Sequence, residues 1–182
     1  MPRILFLCGS LRRESSSMAT VRALRALLEG EAETPVETDL ADIRSLPHYD
    51  ADIDGGAPVE ALKSAIAAAD GLVFVTPEYN YSIPGVLKNA IDWASRPAME
   101  SVFKGKPCLV VSTSGGAMGG VRAQSHLKYV LNGMLARLHA VPEIVIPHAP
   151  KKVEDGVLTD GAVLDFVRPH LASFVEGIRP RG

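Results

Sequence analysis

Three short stretches of the sequence gather side chains that could do chemistry. The first, Gly9-Ser-Leu-Arg-Arg-Glu-Ser-Ser-Ser17, sets four serine hydroxyls and two arginines just ahead of a helical pattern. A helix N-terminus offers unpaired N–H groups and a positive dipole end, and both attract an anion. Hydroxyls add neutral donors there, and an arginine adds charge and a forked donor. The glycine spacing matches neither the P-loop nor the dinucleotide fingerprint. Serines in place of glycines suit a terminal phosphate monoester, which presents several oxygens to hydroxyl donors. Ser15 to Ser17 could also simply cap the helix, for which one serine suffices. On these residues alone both uses stay open.

The second stretch, Thr76-Pro-Glu-Tyr-Asn-Tyr81, follows the apolar run Gly71-Leu-Val-Phe-Val75 without a break. Backbone groups and the Asn80 amide could meet the edge of a heterocycle, and Tyr79 and Tyr81 could flank a flat ring. An ordinary turn into a helix opened by Ser82 and Pro84 is the plainer reading, and for Pro84 the better one. The third stretch, Ser112-Thr-Ser-Gly-Gly-Ala-Met-Gly-Gly120, carries no bulky group before Met118. Its glycines would let the backbone approach a flat ligand closely; a surface loop of no special use is the alternative. Phosphate donors, an aromatic-rich loop and a glycine floor together describe a slot for a phosphorylated flat cofactor. Flavin mononucleotide (FMN) fits that shape best.

The elements that must position these loops alternate. Arg3 to Cys8 reads as a buried strand, and Ser17 to Glu29 carries Met18, Val21, Leu24 and Leu28 at helical spacing before Gly30. Val36 to Leu40 predicts a second strand, and 41–57 a long loop rich in Asp, Pro and Gly. A helix opened by Pro58 follows, then a strand over Leu72 to Thr76 and a helix opened by Pro84. Pro107 to Thr113 predicts a fourth strand. Gly120 to His139 predicts one helix with Leu127, Leu131, Met134 and Leu138 on a face, and Glu143 to Ile146 a fifth strand. Asp160 to Gly177 predicts a last helix, kinked or broken at Pro169. Short apolar strands interleaved with helices argue for a parallel sheet covered on both faces. Ligands bind such sheets at the carboxyl ends of the strands, which is where all three loops fall.

At 182 residues, 47% apolar and 22% charged, the chain has the composition of one globular domain over residues 1–182. A net charge of −2 provides no basic footprint for nucleic acid. No apolar run approaches the roughly 20 residues of a membrane span, and the start lacks a signal-peptide pattern, so a cytoplasmic location is expected. Cys8 and Cys108 stand alone in apolar runs and read as small buried hydrophobes. No metal is expected: His48, His126, His139, His148 and His170 show no ligand spacing. Asp50-Ala-Asp-Ile-Asp-Gly55 starts like a calcium loop but has Ala61 at position twelve and Pro58 within it. A solvated acidic loop is the reading.

Gly9-Ser-Leu-Arg-Arg-Glu-Ser15, the run Pro77-Glu-Tyr-Asn-Tyr-Ser-Ile-Pro-Gly-Val-Leu-Lys-Asn-Ala-Ile-Asp-Trp93 and the Ser112 to Gly120 loop resemble the NADPH-dependent FMN reductase family. That group is flavodoxin-like and includes quinone, azo-dye and chromate reductases. The likeness runs from residue 3 to about residue 146, and the second motif is its most specific part. It implies a three-layer α/β sandwich around a five-stranded parallel sheet of order 2-1-3-4-5. By matched position, Ser10, Arg12, Ser15 and Ser17 would hold the FMN phosphate. Pro77, Glu78, Tyr79 and Asn80 would hold the ring and ribityl chain, and Ser112, Ser114, Gly115 and Gly116 would close the other side. Ser17 stands where the family usually has Asn, a donor with longer reach. The activity implied is hydride transfer from NADPH or NADH to FMN and onward transfer of electrons to a quinone, azo compound, flavin or similar small-molecule acceptor. No side chain need be a nucleophile, so no catalytic residue is named. A homodimer or homotetramer is implied, with Trp93 either at a rim or interface or in the core. A flavodoxin-type electron carrier that does not turn over nicotinamide is the alternative, and a nucleotide-binding module without flavin a third.

Overall fold

Side-chain alternation in the strands builds this molecule from the centre outward. In the computed structural model, which describes residues 1–30 and 35–178, β1 (Arg3–Cys8) sends Ile4, Phe6 and Cys8 to one face of the sheet and Leu5 and Leu7 to the other. β3 (Gly71–Pro77) and β4 (Pro107–Thr113) alternate likewise, with Val73, Val75, Leu109 and Val111 on the first face. Leu72, Phe74, Cys108 and Val110 lie on the second. Buried on both sides, these strands read as nearly unbroken apolar runs, as central parallel strands must. β2 (Glu37–Leu40) is half-exposed at one edge.

Helices cover both faces. α1 (Ser16–Gly30) and α5 (Gly161–Ile178) pack on the first through Val21, Leu24, Leu28, Val167, Leu171 and Phe174. α2 (Gly56–Ala68), α3 (Gly85–Ala94) and α4 (Val121–Gly133) pack on the second through Leu62, Ile66, Leu87, Ile91, Leu127 and Leu131. The two hydrophobic cores, one per face, make a three-layer sandwich. All pairings in the main sheet are parallel, in the order β2-β1-β3-β4, with Cys8 level with Val75 and Val75 level with Val111. The chain therefore reverses its direction of winding between β1 and β3. The loops after β1, β3 and β4 emerge side by side at that point.

The fifth position differs from the expected single strand. β5 (Arg137–Leu138) pairs with the start of β4, at Pro107 and Cys108, and β6 (Ile144–Ile146) pairs with its end, at Val111 to Thr113. Pro142, lacking an N–H, lies between them and cannot extend the ladder. The helix expected to reach His139 stops at Gly133. Leu135 takes a left-handed φ of 61°. Ala136 N–H then donates back to Leu131 O at 3.1 Å, closing the helix end. Met134 and Leu138 kept helical spacing in sequence, but strand pairing took Leu138 instead. α5 runs through Pro169 unbroken, since Pro169 sits on the exposed side where water can serve the carbonyl it leaves unpaired. Asp160 caps that helix by accepting from Val163 N at 2.9 Å. A 3-10 turn (Ala149–Lys152) and a hairpin of β7 (Val153–Glu154) and β8 (Val157–Leu158) complete the chain, turning on Asp155-Gly156 at φ 47° and 75°.

Trp93 is core: it is 3% exposed, donates from Nε1 to Pro47 O at 2.8 Å and meets Tyr49 edge-on.

Candidate functional site

The β1–α1 loop leaves the sheet at Gly9, where a Cβ would come within 2.7 Å of Thr76 Oγ1. Only glycine permits that approach of the first loop to the second. Ser15 then caps α1, its Oγ accepting from Met18 N at 3.0 Å. Ser10 Oγ accepts from Arg12 N at 3.3 Å. Ser17 is buried, its Oγ 2.8 Å from Thr113 Oγ1 at the end of β4. That single contact ties the first loop to the third. The Arg12 guanidinium has no acceptor among the described residues.

After β3 the chain makes a tight antiparallel turn. Tyr79 and Ser82 exchange N–H to O bonds of 3.0 Å each, across Asn80 and Tyr81 at φ 48° and 67°. Positive φ at both central residues gives the type I′ turn. Glu78 points the other way. Its Oε2 accepts from Arg122 N at 3.1 Å and Ala123 N at 3.4 Å, and its Oε1 takes the Arg122 guanidinium at 2.9 Å. Glu78 thus caps α4 from another element. Desolvation raises its pKa, but the bonds from the Arg122 side chain and from the Ala123 and Arg122 amides prevail and hold the carboxyl below its ordinary range. It stays ionised and fully engaged, so it has no free proton to give.

The glycine loop after β4 is pinned. Ser114 N donates to Ile146 O at 3.0 Å, Ala149 N to Ser114 O at 2.8 Å and His148 N to Gly116 O at 3.1 Å. Ser112 faces inward, donating to Gly119 O at 2.9 Å and accepting from Gln124 Nε2 at 3.1 Å. Gly120, at φ 86°, packs its Cα against Ser112 and Thr113.

The three loops bound one open cleft. Of the residues expected from sequence, Ser10, Arg12, Ser15, Ser17, Pro77, Glu78, Tyr79, Ser114 and Gly115 line it. Asn80, Ser112 and Gly116 do not: the first is at the turn tip and the second under the loop. Tyr81, considered as a ring-flanking residue, lies beneath the Arg122 guanidinium instead, 4.3 Å from its centroid. Ser16, Thr113 and Pro150 line the cleft without having been singled out. Pro150 comes from the 3-10 turn, which no loop motif announced; Thr113 was legible as the last residue of its strand.

Charge in the cleft is one-sided. Arg12 is a cation unpaired among the described residues and Glu78 a carboxylate already neutralised by Arg122. One end is serine-rich and cationic, the other bounded by Pro77, Tyr79 and Gly115. This arrangement can hold an anion at one end and a flat ring at the other.

A model of the family described as NADPH-dependent FMN reductase matches residues 2–151. A 2-hydroxy-1,4-benzoquinone reductase from Burkholderia sp. is 42% identical over 176 residues, covering 96% of this chain and 92% of its own. A quinone reductase from Escherichia coli strain K12 is 40% identical over 183 residues, covering 97% and 95%. Among solved structures, the flavoenzyme NAD(P)H:(acceptor) oxidoreductase FerB from Paracoccus denitrificans superposes with a TM-score of 0.86 at 36% identity, covering 98% of this chain and 97% of its own.

Proposed function

The chain belongs to the NADPH-dependent FMN reductase family, and from that premise we propose that the cleft at the β1/β3 reversal holds FMN and reduces quinones at its open side. The protein is an FMN-dependent NAD(P)H oxidoreductase with a flavodoxin-like fold. The residues present suit the cofactor: a serine cradle with a guanidinium that has no acceptor among the described residues, and Pro77, Tyr79 and Gly115 about the rest of the cleft. Bound FMN supplies the redox chemistry, taking a hydride from NAD(P)H and giving electrons to the acceptor.

The chain's own residues bind and orient. Ser10, Ser15 and Ser17 donate hydroxyls to the phosphate, and Arg12 balances its charge. Pro77, Glu78 and Tyr79 border the ring and ribityl chain, with Asn80 behind them at the turn tip. Ser114 and Gly115 form the opposite wall, held from outside the cleft by Ser112 through Gly119 O and by Gly116 O through His148 N. Glu78 serves by fixing the second loop to α4 rather than by moving a proton. A quinone is the acceptor favoured by the named relatives. Tyr79, half exposed, gives such a ring an aromatic edge to lie against. We further propose a single domain over 1–182 acting in the cytoplasm as a homodimer or homotetramer. Two buried free thiols and the lack, among the described residues, of a helix long and apolar enough to cross a membrane agree with that location.

The convergence of the three loops on one cleft carries this reading. The test is the purified protein with FMN, NADPH and a benzoquinone. Flavin absorption bands and quinone-dependent NADPH oxidation are expected. Flavin bands without NADPH oxidation would identify an electron carrier, and no flavin uptake would remove the cofactor reading.

A further inference from the structure

Four successive carbonyls of the β1–α1 loop are held by protein donors. Ser10 O accepts from Cys8 Sγ at 3.6 Å, and Arg12 O from Ser15 N at 3.2 Å. The other two are held by arginines from outside the loop. Leu11 O accepts from the Arg44 guanidinium, which arrives from the β2–α2 loop. Arg13 O accepts from Arg22 Nη2 at 3.2 Å, and Arg22 Nη1 anchors on Gly156 O in the β7–β8 turn at 2.7 Å. Arg22 is thereby a strut between the loop and the hairpin. Neither Arg22 nor Arg44 lines the cleft.

The peptide bonds of the loop are trans. In a trans peptide the C=O and the following N–H share a plane and point in opposite directions. Fixing a carbonyl therefore fixes the next N–H, on the opposite side. Leu11 O fixes Arg12 N–H, which holds the Ser10 hydroxyl at 3.3 Å, and Arg13 O fixes Glu14 N–H. Among the described residues the N–H groups of Leu11, Arg13, Glu14, Ser16 and Ser17 have no protein acceptor. Orphan amides grouped at a helix start are an anion site whose quality depends on orientation.

We propose that Arg22 and Arg44 are positioning residues that set the preference for a phosphorylated flavin, by clamping the Arg13 and Leu11 carbonyls so that the Glu14 amide and, through Arg12 N–H, the Ser10 hydroxyl are set for the phosphate. The inference rests on the FMN reading of the cleft. It assigns to two arginines behind the loop a role that residues touching the ligand would otherwise be given alone.

The experiment uses the full chain stripped of flavin and titrated with FMN and, separately, with riboflavin, which lacks the phosphate; flavin fluorescence reports binding. Arg22→Met and Arg44→Met are each expected to weaken FMN binding about tenfold, the size of one well-made hydrogen bond. Riboflavin binding stays as in the parent. Arg22→Lys keeps the charge but cannot span Arg13 O and Gly156 O together, so about a threefold loss is expected of it. Unchanged FMN affinity in both methionine variants would overturn the proposal. So would equal weakening toward FMN and riboflavin, which signals general loosening, or full recovery in Arg22→Lys, which assigns the effect to charge. Because the two arginines come from different elements, failure of one variant to fold leaves the other decisive. A parent that binds riboflavin as tightly as FMN would instead overturn the placement of the phosphate, and this inference with it.

Discussion

Replacing Glu78 with glutamine tests how the second loop is held. The carboxylate accepts two amides at the start of α4 and the Arg122 guanidinium, and its side chain is only 11% exposed. Glutamine keeps the shape, offers one oxygen instead of two, and turns an NH2 toward groups that are themselves donors. Bonds to a charged acceptor contribute roughly 1.5–3 kcal/mol each when buried. Arg122 is half exposed, which limits its ion pair to below about 1 kcal/mol, and the helix dipole adds a few tenths. The expected loss is therefore about 2–3 kcal/mol at pH 7, a drop in Tm of about 4–12 °C for a chain of this size. The sign with pH follows from the lowered pKa. Stability from a carboxylate depressed in the folded state is present above its unfolded pKa and is lost as pH falls through the folded value. The gap between parent and Glu78→Gln should thus be widest near neutrality and close on acidification below about pH 4. Thermal unfolding followed by circular dichroism from pH 7 down to 3 is the assay. Equal Tm values at pH 7, or a gap that persists undiminished at pH 3, would refute the cap.

Three other outcomes are expected. Arg12→Ser removes the free guanidinium of the cleft and should weaken FMN binding about 10- to 100-fold, with a reduced dependence on salt, as read by fluorescence titration. Gly9→Ala forces a Cβ to 2.7 Å from Thr76 Oγ1 and 3.2 Å from Thr76 Cα. The backbone neighbour cannot yield, so a loss of about 1–3 kcal/mol is expected in chemical denaturation. Both cysteines should resist a thiol reagent at pH 8 in the native protein and react on unfolding. Burial pushes Cys8 up and Cys108 to about 12, so neither carries a thiolate; prompt labelling of the folded chain would contradict this.

The central sheet was legible because its signal is local. β1 and β4 have the bounds that their apolar runs suggest, and Gly9 stands where a strand must turn sharply. The lining of the cleft was legible wherever a residue sits directly after a strand. Contributions that depend on tertiary closure were not. Nothing near Arg22 or Arg44 in the sequence says that each will reach a carbonyl of the first loop, and Pro150 meets the cleft only because the chain folds back against Ser114. The end of α4 misled for a different reason: Leu135 adopts a backbone conformation usually left to glycine, and apolar spacing continues past it. The Asp155-Gly156 pair did carry a hairpin signal, legible on turn chemistry but hidden by the shortness of strands only two residues long.

The divided fifth strand has a bearing on how copies of the chain can meet. With two residues beside one end of β4 and three beside the other, this margin presents no long ladder of free amides to a stranger's strand. The opposite margin is four residues of β2, carrying Glu37 and Asp39. Both borders are too short to favour continuation into a neighbouring sheet, so association helix to helix or loop to loop is the mode to expect, with the parallel core private to each subunit.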